Sequence, residues 1–235
     1  MTVAAIMAEL KEKGDPQIKS ILQKHGVREP FFGVRVGDLK PIQKKIKKDY
    51  QLAKDLYATG NADAMYLAGL IADDEKMTEK DLELWVKQAL SQNICEYTVP
   101  WVAAGNPRGY ALALKWIDAK EEHIIAAGWA TLANWVSLKA DKDLDLPGLK
   151  TLLSRVAKTI HTAGNRARYT MNNFVICVGA YVTPLTKDAI ATAKKTGGVT
   201  VETSGTACKV PDAIEYIGKI EARGSLGKKK KMVKC

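Results

Sequence analysis

A chain of 235 residues is long enough to bury a full core, and 46% hydrophobic against 26% charged residues exclude wholesale disorder. Its 36 Lys and Arg against 26 Asp and Glu give a formal net charge of +10, half of it carried by Lys228, Lys229, Lys230, Lys231 and Lys234 near the C-terminus. The most apolar stretch, 124–138, is shorter than the ~18 residues of a membrane span and is broken by Asn134, so it reads as a helix buried on nearly all sides, and no signal peptide is read before the first helix.

Apolar residues at helical spacing predict helices at 2–13, 16–25, 36–48, 50–59, 62–72, 79–91, 93–104, 107–119, 121–139, 147–161, 165–181, 184–196 and 211–222. Asp15-Pro16, Asn106-Pro107 and Thr183-Pro184 place a capping side chain before a proline suited to the first helical position. Thr78 with Asp81 three residues on resembles a capping box, with Asp a weaker partner than the usual Glu. Leu82, Trp85, Val86, Ala89 and Leu90 stack on one face, as do Leu149, Leu152, Leu153, Val156 and Ile160. The run 174–182 has strand propensity but no partner strand, so it is assigned to a helix. Residues 194–209, with three glycines and no apolar period, read as a long loop. Successive helix pairs recur every 30–40 residues or so, the spacing of two-helix solenoid repeats. A row of helix pairs with a basic exterior is suited to holding a polyanion, nucleic acid first among them.

Known catalytic signatures are missing: no Walker-type loop, GxSxG, HExxH or dinucleotide fingerprint occurs. His25, His123 and His161 are scattered and read as surface residues. Cys95, Cys177, Cys208 and Cys235 form no CxxC pair, so neither a zinc site nor a disulfide framework is expected, and a reducing, cytoplasmic setting is. Trp85, Trp116 and Trp135 read as core. Lys40, Lys44, Lys45, Lys47 and Lys48, around Leu39, Ile42 and Ile46, read as a solvated face that can also follow phosphates. Gln92, Asn93 and Glu96 share one face at the polar start of an apolar helix, where capping and the helix dipole favour such groups.

The runs Thr59-Gly60-Asn61-Ala62-Asp63-Ala64, Leu67-Ala68-Gly69-Leu70-Ile71, Leu84-Trp85-Val86, Ile94-Cys95-Glu96 and Ala127-Gly128 resemble the AlkD-like alkylpurine DNA glycosylases built from HEAT-like repeats. The likeness extends to about Tyr181, and Thr206-Ala207-Cys208-Lys209-Val210-Pro211 resembles the ending of a bacterial DNA alkylation repair subgroup. The resemblance implies an α-solenoid whose concave face grips duplex DNA. Active members carry Trp-Asp-x-Cys-Asp, whose second Asp assists departure of a cationic alkylated base. The matching run here is Gln92-Asn93-Ile94-Cys95-Glu96, which keeps a carboxylate one methylene longer. A misplacement of ~1 Å can cost about a hundredfold in rate. Ala126 stands where the family has a phosphate-binding arginine, and Asn173 where it has a second cleft tryptophan. Aromatic faces stabilise a cationic base by ~0.5–2 kcal/mol each, which Gln and Asn do not replace.

The expected fold is therefore all-α, a HEAT-like repeat α-solenoid of antiparallel helix pairs in a single domain, 1–223, followed by a basic, flexible tail, 224–235. The expected function is DNA binding through a concave basic groove, with glycosylase chemistry lost or altered. The candidate contacts are Gln92, Asn93, Tyr97, Trp129, Arg166, Arg168, Asn172, Asn173, Lys228, Lys229, Lys230 and Lys231. The expected partner is double-stranded DNA, alkylated and branched forms included, bound by a nucleoid-associated monomer with no cofactor, metal or membrane. The alternatives are an active 3-/7-alkylpurine glycosylase with Glu96 as its catalytic carboxylate, and a HEAT-repeat protein-interaction scaffold.

Overall fold

The helices form where apolar spacing and caps coincide. In the computed structural model, which describes residues 1–203, 205–206 and 209–234, thirteen α-helices and no strand occur among the described residues. Cys208, Cys235 and Ala207 of the C-terminal resemblance lie outside the described residues. The chain divides into two compact units. The first holds residues 1–108 with 205–206 and Lys234, and the second 109–203 with 209–233.

The first unit contains α1 (Val3–Glu12), α2 (Pro16–Lys24), α3 (Val36–Ile46), α4 (Tyr50–Tyr57), α5 (Ala62–Ile71), α6 (Glu79–Gln88) and α7 (Val99–Gly105). Every residue of α5 is buried, as an apolar helix without a polar face requires. Asn61 caps it by accepting the amides of Asp63 and Ala64. Asp63 is itself buried, and its carboxylate gathers the amides of Phe32 (2.6 Å), Gly33 (3.1 Å) and Val34 (3.2 Å), pinning the segment before α3. Burial pushes the Asp63 carboxyl up, against the pull of those three amides. Tyr57 stacks on Trp85 at 4.0 Å and donates its hydroxyl to the Trp85 carbonyl, joining α4 to α6.

The Thr78 capping box is present in full. Asp81 also accepts the Tyr50 hydroxyl at 2.7 Å and pairs with Lys54 at 3.1 Å. Burial pushes its carboxyl up, but hydrogen bonds from Thr78, Tyr50 and Lys54 outweigh that and hold it at about 2. Because this lies below the ordinary value, the stabilisation is complete above about pH 4 and is lost as pH falls toward 2. Asp81→Asn is expected to cost about 1–2 kcal/mol at pH 7 and nearly nothing at pH 2. Urea unfolding of both proteins across that range checks this; a cost independent of pH would refute it.

The second unit contains α8 (Gly109–Trp116), α9 (Glu122–Leu138), α10 (Leu146–Thr159), α11 (Asn165–Tyr181), α12 (Thr186–Thr196) and α13 (Ala213–Ala222). Its centre is the pairing of α9 with α11, where Trp129 meets Phe174 at 5.2 Å. α8 packs on α9, α12 on α10 and α11, and α13 on α11. The segment 174–181 is helical, as its surroundings predict, despite its strand propensity. Trp85 and Trp116 are core; Trp135 is only half-buried, lying between Tyr110 and the Lys139 ammonium.

Three further expectations change. The helix predicted at 93–104 begins as a π turn, Ile94–Thr98, in which the Val99 amide reaches back to the Ile94 carbonyl. Pro100 has no amide to give the Glu96 carbonyl and its ring would crowd that oxygen, so the backbone widens. The helix expected from Pro107 starts at Gly109, because Asn106 turns inward and donates to the carbonyls of Asp74 and Met77. The tail read as flexible is tied down. Gly227 and Lys230 donate backbone amides to Ala180 and Ser137 in the second unit. In the first unit, Lys234 donates to the Ala72 carbonyl at 3.0 Å and to Asp74 at 2.6 Å. Unsatisfied carbonyls at helix ends and the half-buried Asp74 carboxylate are the partners that order these lysines.

Candidate nucleic-acid interface

The predicted residues fall into two groups, Gln92, Asn93, Glu96 and Tyr97 in the first unit and all the others in the second. In the first group the chain enters the π turn through Ser91, whose hydroxyl accepts the Arg28 amide at 2.9 Å, and Gln92, whose amide donates to the Gly26 carbonyl at 3.1 Å. Gly26 has φ +76°, and a Cβ there would lie 2.8 Å from the Gln92 side-chain oxygen, so Gln92 is seated against backbone that only glycine allows. The Asn93 side-chain oxygen is buried without a donor among the described residues.

Glu96 is 5% exposed. Tyr97, its neighbour, is 44% exposed and forms the outer end of an aromatic series, 6.0 Å from Trp101, which stands edge-on to Tyr66 at 5.3 Å. The π turn thus turns a carboxylate inward and an aromatic ring outward. An exposed ring backed by two buried ones is a rigid platform for a base or sugar face.

In the second unit, α11 presents Arg166, Tyr169, Asn173, Cys177 and Tyr181 at helical spacing along one face, none of them fully buried. The Arg166 guanidinium lies 4.5 Å from the centre of the Tyr169 ring, and the Lys230 ammonium 5.4 Å from that of Tyr181. From Arg166 to Tyr181 the helix rises about 22 Å, roughly six base pairs of duplex at ~3.4 Å each. The stripe therefore has a cation at each end and an exposed amide, Asn173, between them. Burial pushes the Cys177 thiol up to about 11, with Lys230 opposing, so at neutral pH it is protonated and a poor nucleophile. Burial likewise raises the Tyr181 phenol against the pull of Lys230.

Other predicted contacts have structural duties. Trp129 is 1% exposed, set against Phe174 with Arg155 beside it, so it belongs to the core and not to a DNA contact. Arg168 donates to the carbonyls of Thr200 and Ala163, and Asn172 to that of Pro211. With Asn165, which exchanges two hydrogen bonds with Glu202, they fasten Thr200, Glu202 and Pro211, which lie between α12 and α13. Lys229 donates to the Val136 carbonyl and pairs with Asp141 at 2.8 Å, which removes it from the phosphate contacts. Lys228, Lys230 and Lys231 remain exposed. Ala126 is fully buried in α9. Tyr169 and Tyr181 are not among the sequence-predicted contacts, although their spacing from Arg166 places them on the same face. Among the described residues no three His, Cys, Asp or Glu side chains gather to hold a metal ion.

Comparisons with known proteins agree with this fold. The model of the DNA alkylation repair enzyme family matches residues 6–217. An uncharacterized protein of Listeria innocua is 32% identical over 229 residues, covering 95% of this chain and 99% of its own length. A Listeria monocytogenes protein, also uncharacterized, is 33% identical with the same coverage. A solved structure covers 100% of both chains with TM-score 0.92 and 36% identity. It is described as a new family of proteins related to the HEAT-like repeat DNA glycosylases, with affinity for branched DNA structures.

Proposed function

This chain belongs to the DNA alkylation repair enzyme family, and from that premise we propose that it binds duplex DNA, branched junctions above all, without removing bases from it. The observation that carries the reading is the full-length likeness, at 36% identity and TM-score 0.92, to a protein family with affinity for branched DNA structures. The net charge of +10 and the α11 stripe, with Arg166 and Lys230 at its ends, supply cations where phosphates are to be held. Tyr97 supplies an exposed ring in the first unit.

The residues argue against excision. A carboxylate that stabilises a developing sugar cation has to approach it, and Glu96 is enclosed. Gln92 and Asn173 stand where the family resemblance implies tryptophans, and Ala126 where it implies arginine. The two tryptophans are replaced by amides, which hydrogen-bond to phosphates, sugars and base edges but do not stabilise a cationic base, and the arginine by a methyl group that holds no phosphate.

The test is the salt dependence of affinity for a four-way junction and for a linear duplex of the same length. If Arg166, Lys228, Lys230 and Lys231 contact phosphates, log Kd against log salt should have a slope of about 3 or more in magnitude. The junction should bind more tightly at every salt concentration, and Arg166→Ala should reduce the slope by about 0.9 for both DNAs. No binding at low salt, or binding indifferent to salt, would refute the proposal.

A further inference from the structure

On the second unit, a cleft of about 280 Å³ lies between α10 and α12 and is separate from the α11 stripe. Lys150, Ser154 and Lys158 line it from α10, at four-residue steps that keep them in one row. Asp188, Thr192 and Lys195 line it from α12. Lys150 pairs with Asp188 at 2.8 Å; Lys158 and Lys195 are exposed and have no ion-pair partner among the described residues. The cleft therefore gathers three ammonium groups around one carboxylate. Its floor is small side chains and one leucine, without the aromatic anchor that a tight peptide site uses. Flexible point charges around a shallow floor of small side chains suit a phosphodiester chain. The α10 row spans about 12 Å, three to four nucleotide steps of a strand at ~3.4 Å each.

The direction in which this cleft opens gives it meaning. α12 turns Ala189 and Ala193 inward, and a Cβ at Gly179 of α11 would lie 3.2 Å from the Ala189 Cβ. Asp188, Ala191 and Lys195 stand roughly 120–180° around α12 from that inward face, so the cleft opens away from α11. On α11 itself, the stripe of Arg166, Asn173 and Cys177 lies roughly 140° around the axis from the Gly179 side that meets α12. One unit thus carries basic surfaces on two sides of α11. A linear duplex engages one such surface, whereas a junction presents a second arm to the other. We propose that the α10–α12 cleft binds the phosphate backbone of a second duplex arm, and that this contact creates the preference for branched DNA. The inference rests on the DNA-binding reading above and extends it by assigning the preference to a surface.

The experiment compares the unmodified protein with Lys158→Glu/Lys195→Glu on a labelled four-way junction and a matched linear duplex. Both substitutions are exposed, and an unchanged thermal midpoint shows that the fold is kept. The expected result is at least a tenfold loss of junction affinity and a junction salt slope shallower by about 1.8, with duplex affinity changed less than twofold. Arg166→Ala, in contrast, should weaken both DNAs. Equal losses on junction and duplex, or no loss on the junction, would overturn the assignment while leaving DNA binding intact. Failure of the unmodified protein to bind either DNA would overturn the assignment together with the reading beneath it.

Discussion

Removal of residues 228–234 is expected to lower the thermal midpoint by about 6–12 °C, corresponding to roughly 3 kcal/mol in a protein of this size. Lys234 lies almost fully enclosed, its ammonium donating to the Ala72 carbonyl and to Asp74. Burial lowers its pKa and raises that of Asp74, and each charge opposes the other's shift. Taking away one member of such a pair leaves a desolvated charge, which costs more than the intact pair contributes. Lys234→Ala alone should reproduce most of the loss. The cost should shrink in acid: without Lys234 the Asp74 carboxyl is held further above its unfolded value, and a group raised in this way favours folding below that value and opposes it as pH rises. Differential scanning calorimetry at pH 5 and pH 8 measures both effects. An unchanged midpoint would mean that the tail lysines are solvated.

Gly128 gives the second large effect, and its sign is the informative part. In an exposed helix, Gly→Ala stabilises by about 1 kcal/mol. At Gly128 a Cβ would lie 2.8 Å from the Ile117 amide nitrogen and 3.0 Å from the Ala113 carbonyl oxygen, both backbone atoms at the α8–α9 contact. Neither can yield without parting the helices, so overpacking, typically 1–3 kcal/mol, exceeds the propensity gain. Gly128→Ala is expected to destabilise by about 1–2 kcal/mol, and Gly128→Val by about 3 or more. Gly218→Ala, on an exposed face of α13 with nothing within 4 Å, should instead stabilise by ~0.5–1 kcal/mol. Chemical denaturation of the three variants checks the order; stabilisation by Gly128→Ala would show that α8 and α9 are not in close contact.

The helices were legible in the sequence because their signals are local. The Thr78–Asp81 box, Asp15 before Pro16 and the apolar spacing of α10 act within a few residues, and each is present as read. The candidate interface was less legible because its deciding contacts are distant. Lys234 meets Ala72 across 162 positions, and Lys229 meets Val136 across 93. A lysine run alone reads as a solvated tail, since nothing in it announces which carbonyls it will satisfy. Arg168 and Asn172 looked like surface contacts because they share α11 with Arg166 and Asn173; their partners lie in a loop without periodicity. Trp129 reads as a contact because it is an aromatic residue of the region that carries the resemblance, but it shares a buried helical face with Ala126, Ala133 and Val136. The family resemblance came from runs that include buried α5 and the tight Ala127-Gly128 contact, so what it reported was the fold.

The central claim is DNA binding without base excision, and one measurement tests it most directly. Excess protein is mixed with duplex and junction DNA carrying radiolabelled 7-methylguanine, and the bound fraction and the released base are followed in the same tubes. The account predicts saturable, salt-sensitive binding while release stays at the rate of DNA alone. Release that rises with the bound fraction and disappears in Glu96→Gln would contradict it, and would make the enclosed Glu96 a catalytic carboxylate.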